Sequence, residues 1–365
     1  MSPTIPILDL TTQYAALQED IEAAALRVLR SGRYVLGPEV EALETELGAM
    51  LGIGHVISCA SGTDALCLSL RALDVGPGDE VLVPAFTFAA PAEAVALTGA
   101  RPVFVDIDPD SFLVDPESCR NAITSRTRAA VVVHLYGRPA DISAVREAIG
   151  PDVAIVEDCA QSFGARTAGQ ATGTFGQVAS FSFFPSKNLG GCGDGGAVAT
   201  GDPELAARLR ALRNHGSSQP YHHETLGLNS RLDELQAAVL RVKLPHVAEW
   251  NEKRRQAAGR YTEKLQKLDG IQPPADADGH VWHQYTLLSP QRDAFQEQLS
   301  KDGIESRIYY PIPLHRQEAY TPWADGVSLP AAEQVCDQCL SLPMFPELSP
   351  AQIEQICASL ARAES

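Results

Sequence analysis

The chain has 365 residues, 45% of them hydrophobic, which suits one large α/β domain followed by a smaller one. Its formal net charge of -17, from 46 acidic against 29 basic residues, carries no block of like sign, so the basic stripe needed by nucleic acid or an anionic membrane is missing. The N-terminus lacks the basic, apolar and small-residue regions of a signal peptide, and no apolar run approaches a membrane span, so the sequence predicts a soluble cytoplasmic protein.

Tyr14, Leu17, Ile21, Ala24, Ala25 and Val28 recur at helical spacing and predict an amphipathic helix over 13–30, broken by the segment Gly32 to Pro38. Short β-branched runs then alternate with helical patterns: His55 to Cys59, Asp79 to Val83, Pro102 to Val105, Ala129 to His134 and Val153 to Val156. Near-continuous apolar strands of this kind predict a mostly parallel sheet with helices on both faces, whose ligands sit at the carboxyl ends of the strands. Beyond Thr200 the pattern turns to helices, Pro203 to Arg213 and another from near Leu232 that restarts after Pro245 toward Leu268. The turn-rich stretch Gly270 to Gly279 precedes a strand (Trp282 to Leu288), a helix (Arg292 to Lys301), a strand (Glu305 to Tyr310) and a C-terminal helix. Two units are predicted, 1–245 and 246–365, the second a linking helix and a small α+β domain.

The eight cysteines are scattered, without the density of a disulfide scaffold. Cys336-x-x-Cys339 has a metal-like spacing but no second pair, and Glu333 to Leu340 reads as helix, so a structural role is expected. The histidines show no metal-ligand spacing either, and no metal is expected.

Chemistry concentrates at Ser180-Phe-Ser-Phe-Phe-Pro-Ser-Lys187-Asn-Leu-Gly-Gly-Cys-Gly-Asp-Gly-Gly196. Phe181, Phe183, Phe184 and Pro185 give Lys187 an apolar setting that favours the free amine required for Schiff-base chemistry. The glycines at 190, 191, 193, 195 and 196 are expected to let the backbone pass close to a bulky ligand. Asp158 ends a strand at the ligand-facing edge, where it could pair with a protonated ring nitrogen or simply cap the following turn. Ser61-Gly62-Thr63-Asp64 opens a helix after a strand, which is a phosphate site or an ordinary N-cap. Phe88, just past another strand, could lie over a planar ring or pack in the core.

Taken together, the motifs Gly32 to Val40, Ser58 to Leu66, Pro84 to Phe88, Glu157 to Ala165, Phe181 to Gly190, Gly193 to Gly196 and Gly227 to Asp233 resemble, over nearly the whole chain, the DegT/StrS-type nucleotide-sugar aminotransferases. The resemblance implies an aspartate-aminotransferase-like α/β fold and pyridoxal 5'-phosphate, cycling through pyridoxamine 5'-phosphate, as cofactor. It further implies that Lys187 forms the Schiff base, Asp158 holds the pyridine nitrogen, Gln161 bonds the ring hydroxyl and Phe88 stacks on the ring. Gly62, Thr63 and Ser182 would bind the phosphate with Asn229 from the second subunit of a homodimer. L-Glutamate would be the amino donor.

The Phe-Pro-Ser-Lys-Asn-Leu-Gly form of the lysine motif is similar to the branch acting at sugar C3. Within it the chain most resembles the transaminases of UDP-2-acetamido-2-deoxy-3-keto-hexuronate, with the product destined for surface polysaccharide. The implied substrate contacts are Arg33, Tyr34, Arg231, Tyr309, Tyr310 and His315, with Arg231 the carboxylate partner. Relatives acting on dTDP-3-keto-6-deoxyhexoses share Asn-Ser-Arg-Leu-Asp, so that substrate remains the alternative, ahead of 4-aminotransfer or a non-enzymatic regulator. Tyr309-Tyr310-Pro311 replaces the His-Tyr-Pro of many relatives. Relatives that act as dehydratases replace the lysine with histidine, which Lys187 argues against.

Overall fold

The computed structural model describes residues 5–219 and 221–363. Pro220 and the outermost residues of both predicted units, 1–4 and 364–365, lie outside the described residues.

A seven-stranded sheet runs in the order His55–Cys59, Gly196–Thr200, Val178–Ser182, Ala154–Asp158, Thr127–Val133, Glu80–Pro84, Arg101–Val105. Four adjacent pairs are parallel, and Gly196–Thr200 alone runs against both of its neighbours. Alternation along the strands assigns side chains to opposite faces. Val56, Ala179, Phe181, Ala197 and Ala199 pack with Leu43, Leu47 and Leu240, whereas Ile57, Val178 and Val198 pack with Leu66, Leu70 and Leu209. The α/β architecture with both faces covered is therefore the predicted one.

The first helix, Leu10–Ser31, starts at Asp9, whose carboxylate accepts from the Thr11 and Thr12 N–H groups, and ends at Gly32 in the left-handed region at φ 68. The next, Pro38–Leu51, has a cap distant in sequence. The buried Glu234 carboxylate accepts from the N–H groups of Gly37 (2.8 Å), Glu39 (2.9 Å) and Val40 (2.9 Å). Glu234 opens the helix Glu234–Lys243, and a short turn at Leu244–His246 leads into Val247–Leu265, the restart expected after Pro245.

A second core gathers Tyr261, Leu265, Tyr285, Phe295, Leu299, Leu340 and Ile356. Ile5 joins it, donating its N–H to the Gly303 carbonyl at 2.9 Å, so the start of the chain packs on residues of the second predicted unit. The helix Arg292–Lys301 is as expected. Three other expectations for this region are corrected. The strand begins at Tyr285, not Trp282. Glu305 to Tyr310 is no strand but a single bridge at Arg307 to Ser341; Pro311 and Pro313 just beyond it have no N–H to continue a ladder. The helix over Cys336 stops at Gln338, and Cys339–Leu342 pairs antiparallel with Tyr285–Leu288, which separates the two cysteines onto different elements, both buried.

Among the described residues, no helix is long and apolar enough to cross a membrane.

Candidate active site

At the carboxyl ends of the parallel strands lies a cavity of about 470 Å³. It brings together Gly62, Thr63, Phe88, Asp158, Gln161, Ser182 and Lys187, from segments spread over more than a hundred residues of sequence, with Tyr309 and Tyr310 on the same wall. Its size is that of a small-molecule site.

Lys187 sits in a turn after the strand Val178–Ser182, its N–H donating to the Phe184 carbonyl at 2.9 Å. Burial pushes its amine down to about 8, against the pull of the Asp158 charge. Asp158, 5% exposed, accepts from the Ala160 N–H at 3.0 Å through Oδ1, so it does cap the turn, yet its other oxygen makes no hydrogen bond among the described residues. Burial raises its carboxyl above the ordinary range, opposed by that hydrogen bond and by the Lys187 charge. The two side chains do not close into an ion pair. A buried acid with a vacant lone pair, apart from a partly deprotonated amine, suits a planar cationic ring lying between them.

The strand end carrying Asp158 is held by its neighbour. Glu157, fully buried, accepts from the N–H groups of Gly173, Phe175 and Gly176 at 2.7–2.8 Å and contacts His134 Nε2 at 2.9 Å. His134 Nδ1 accepts from the Ala140 N–H, so Nε2 carries the proton and donates to Glu157. Burial works to raise the Glu157 carboxyl, but its His134 and backbone donors bring it below the ordinary value. Cys159 completes a group whose potential ligand atoms lie within 4.8 Å, a cluster the sequence spacing did not suggest. With His134 and Glu157 bound to each other and to backbone, the cluster works as a structural clamp.

The phosphate end fits the same group. A Cβ on Gly62 would stand 2.7 Å from Ser182 Cβ, so glycine alone allows the helix start to meet the Ser182 strand end. Ser61 caps the helix by accepting from the Asp64 N–H at 3.1 Å, and Ser230 ties Asp64 (2.6 Å) to the Ala60 N–H (3.2 Å). Free N–H groups, a close glycine and two hydroxyls form a cradle for a dianion. Phe88 is 56% exposed with its ring 6.1 Å from that of Tyr310, so it faces the cavity, whereas Phe86 is in the core.

Of the glycines after Lys187, only Gly195 lines the cavity. Gly190 lies against the Phe184 and Pro185 carbonyls, Gly191 and Gly193 against Gln236, and Gly196 against the Ser61 carbonyl. The expectation of ligand approach is corrected for these four: they are small because protein, not ligand, presses on them.

Several expected contacts lie elsewhere within the chain. Arg33 and Tyr34 line a separate surface groove near Gly37, and Asn229 is exposed beside Asn214. Arg231 donates to Asn214 Oδ1 at 3.2 Å outside the cavity. His315 is buried, with Nε2 2.9 Å from Glu333, and does not line the cavity of its own chain. Two cavity residues escaped sequence reasoning, His283 and Gln284. The partner of His283, Asn188, directly follows the lysine, but the pairing spans 95 residues of sequence.

The model of the DegT/DnrJ/EryC1/StrS aminotransferase family matches residues 15–361. The chain is 49% identical over 98% of its length to the UDP-N-acetyl-3-dehydro-alpha-D-glucosamine 3-aminotransferase of Acidithiobacillus ferrooxidans, covering 97% of it. It is 50% identical over 95% to a dTDP-3-amino-3,4,6-trideoxy-alpha-D-glucose transaminase of Streptomyces venezuelae, covering 93%. To the UDP-2-acetamido-2-deoxy-3-oxo-D-glucuronate aminotransferase of Pseudomonas aeruginosa it is 44% identical over 98%, covering 99%. Among solved structures, S. venezuelae DesV superposes with a TM-score of 0.96 at 48% identity, covering 100% of this chain and 99% of that one. NtdA of Bacillus subtilis, solved with bound cofactor PMP, gives 0.90 at 32%, covering 96% and 82%.

Proposed function

The chain belongs to the DegT/DnrJ/EryC1/StrS aminotransferase family and is a pyridoxal-phosphate-dependent transaminase, and from that premise we propose that it moves an amino group from L-glutamate to the C3 carbonyl of a nucleotide sugar. The observation that carries the site assignment is Lys187 and Asp158 facing one cavity without pairing to each other, above the Gly62–Ser182 cradle. When bound, the cofactor supplies an electron sink for the developing carbanion. Asp158 keeps the ring nitrogen protonated, Gly62, Thr63 and Ser182 hold the phosphate, Phe88 covers the ring and Gln161 bonds its hydroxyl. Lys187, as free amine, would take the proton from Cα of the amino donor and deliver it to the cofactor carbon C4′. Tyr309 and Tyr310 border the sugar.

Asn229 and Arg231 lie outside the cavity of their own chain, which supports a homodimer in which each is offered to the other subunit's site. The reading places the enzyme in the cytoplasm, in surface-polysaccharide synthesis. UDP-2-acetamido-2-deoxy-3-keto-glucuronate is the proposed acceptor, because among the described residues the Arg231 guanidinium has only the neutral Asn214 as side-chain partner, and it matches a carboxylate fork. The relative named for the corresponding glucosamine derivative supports the UDP-2-acetamido class. A dTDP-3-keto-6-deoxyhexose is the second reading, favoured by the 50% identity to a dTDP-sugar transaminase.

The test is amination with glutamate of three acceptors: the UDP-3-keto-uronate, a dTDP-3-keto sugar and a dTDP-4-keto sugar, with products identified by mass spectrometry. Turnover of the first is expected. Turnover of the C4-keto sugar alone overturns the regiochemistry, and no turnover after Lys187→Ala is expected throughout.

A further inference from the structure

Beside the Lys187 turn, a side pocket of about 80 Å³ adjoins the main cavity, the two sharing Ser186, His283, Gln284 and Tyr309 as walls. Its other walls are largely apolar: Ile7 and Leu8 from the start of the chain, Leu342 and Met344 from the end of the strand Cys339–Leu342 and just beyond it. Backbone bonds hold these walls together, the Met344 N–H donating to the Ile7 carbonyl and the Ile7 N–H to Glu305 Oε2, both at 3.2 Å. Ser341, also in the wall, is already paired with Thr286 at 2.8 Å. No lysine or arginine lines the pocket, and burial, then the charges of Lys187 and Arg254, push His283 well below its ordinary value. The pocket therefore offers no charge to a carboxylate.

Gln284 stands at the partition between the two spaces. Its Oε1 is buried, and among the described residues neither end of its carboxamide makes a hydrogen bond. A buried acceptor left so is costly unless a ligand pairs with it. With no protein partner at either end, the amide can turn to present its oxygen or its NH₂ to the cavity.

We infer that Gln284 and this side pocket recognise the 2-acetamido group of the acceptor sugar, Gln284 Oε1 accepting the acetamido N–H while the acetyl methyl enters the pocket. In a trans amide the hydrogen and the methyl lie on the same side of the C–N bond, so an acceptor at the lip of an apolar pocket matches both. The acetamido nitrogen is attached next to C3, the carbon that Lys187 serves, and the pocket adjoins the Lys187 turn. The methyl of a 6-deoxyhexose is joined to C5, two ring bonds from C3. The side-chain carboxylate of the amino donor finds no cation here. Gln284 is thus a specificity-determining residue for the acceptor. The assignment rests on a UDP-2-acetamido sugar being that acceptor, which the amination assay decides separately.

Two measurements on the holoenzyme test it. The probes are UDP-N-acetylglucosamine and UDP-glucose, which differ only at C2, lack the uronate carboxylate and have no keto group to react. By calorimetry the first is expected to bind about tenfold or more tightly than the second, and Gln284→Leu, which keeps side-chain bulk, to bring the two within about threefold. Equal affinities in the parent protein, or a preference that survives in Gln284→Leu, overturn the proposal. The second measurement uses unaltered protein and holds even where Gln284→Leu fails to fold. Met344 is one of three methionines, so methyl-¹³C-methionine labelling gives it a distinct signal, assigned by its loss in Met344→Leu. A nuclear Overhauser effect between the acetyl methyl of bound UDP-N-acetylglucosamine and the Met344 methyl is expected; a saturated complex without one overturns the proposal. Amination of dTDP-sugars alone overturns the acceptor reading itself, whereas amination of the UDP-2-acetamido sugar without discrimination at C2 overturns only the role of Gln284 and its pocket.

Discussion

Gly62 and Ser182 approach so closely that a single methyl on the first would stand 2.7 Å from the Cβ of the second. The helix start and the strand end are thus held at a separation set by hydrogen, with the proposed phosphate cradle between them. Gly62→Ala must move one of the two, and neither is a flexible side-chain tip. We expect the variant to fold, with the affinity of the apoprotein for pyridoxal phosphate reduced about tenfold or more, equivalent to ~1.4 kcal/mol or more. Absorbance titration of apoprotein with cofactor measures it, and unchanged affinity removes the cradle assignment.

The amine of Lys187, held down at about 8 by burial, also carries a stability consequence. In the unfolded chain the same amine titrates near 10.5. Below about 8 both states are protonated, and the folded state bears the cost of a poorly solvated charge. Between the two values only the unfolded state binds the proton, so stability rises with pH; above 10.5 the cost is gone. Lys187→Met should therefore stabilise the apoprotein at pH 7 by roughly 1–3 kcal/mol, with the gain shrinking as pH passes from 8 toward 10. Urea unfolding at several pH values checks the sign.

Much of this site was legible because its parts occupy short, ordered motifs. Lys187, Asp158 and the Ser61–Asp64 turn stand at strand ends or helix starts that hydrophobic periodicity locates, and a parallel sheet brings such positions to one edge. What escaped reading was set by pairs far apart in sequence. Glu234 caps a helix that begins at residue 38, and the backbone near Ser61 and the Gln236 side chain, not a ligand, dictate glycines 191, 193 and 196. The pairing of His315 with Glu333, eighteen residues on, was likewise not legible. The strand expected at Glu305 to Tyr310 failed because β-branched and aromatic content does not reveal that a ladder is cut short by Pro311.

Glu234 provides a stability test away from the chemistry. Its carboxylate serves three N–H donors at the start of the helix Pro38–Leu51, one of them on Gly37, whose added Cβ would meet the Glu234 carboxylate at 3.0 Å. In Glu234→Gln one acceptor oxygen becomes an NH₂ facing those donors, and the helix N-terminus loses its compensating charge. A loss of about 2–4 kcal/mol is expected in urea unfolding of the apoprotein. A loss under half a kcal/mol contradicts the capping role.

Tyr310 tests how Gln161 is aimed. The Gln161 Oε1 accepts from the Tyr136 N–H at 2.6 Å, which turns Nε2 toward Tyr310 and places that hydroxyl 3.2 Å away as acceptor. Tyr310→Phe keeps the ring beside Phe86 and Phe88 but frees one amide hydrogen. Gln161 stays anchored through Oε1, so cofactor affinity should change less than threefold, while the altered donor near the ring hydroxyl should shift the absorption maximum of the bound cofactor. A spectrum identical to that of the parent places Gln161 away from the ring hydroxyl.

Arg231 decides between the two proposed acceptors. Its guanidinium lies outside the cavity of its own chain, with neutral Asn214 as its side-chain partner. Arg231→Gln keeps a polar side chain of similar reach and removes the fork that suits a carboxylate. If it meets a uronate across the homodimer, the variant should raise KM for the UDP-3-keto-uronate about 10–100-fold, equivalent to the ~1.5–3 kcal/mol of a hydrogen bond to a charged group. A dTDP-3-keto-6-deoxyhexose, with a methyl group in place of the carboxylate, should lose less than threefold. Equal losses on both acceptors assign Arg231 to the nucleotide or to the dimer contact instead. Mixing Arg231→Gln with Lys187→Ala subunits separates these outcomes. In such a heterodimer a site shared between subunits places both lesions in one site and leaves the other intact, so half the sites turn over the uronate with the parent KM. A site contained in one chain leaves only Arg231→Gln sites active, with their raised KM.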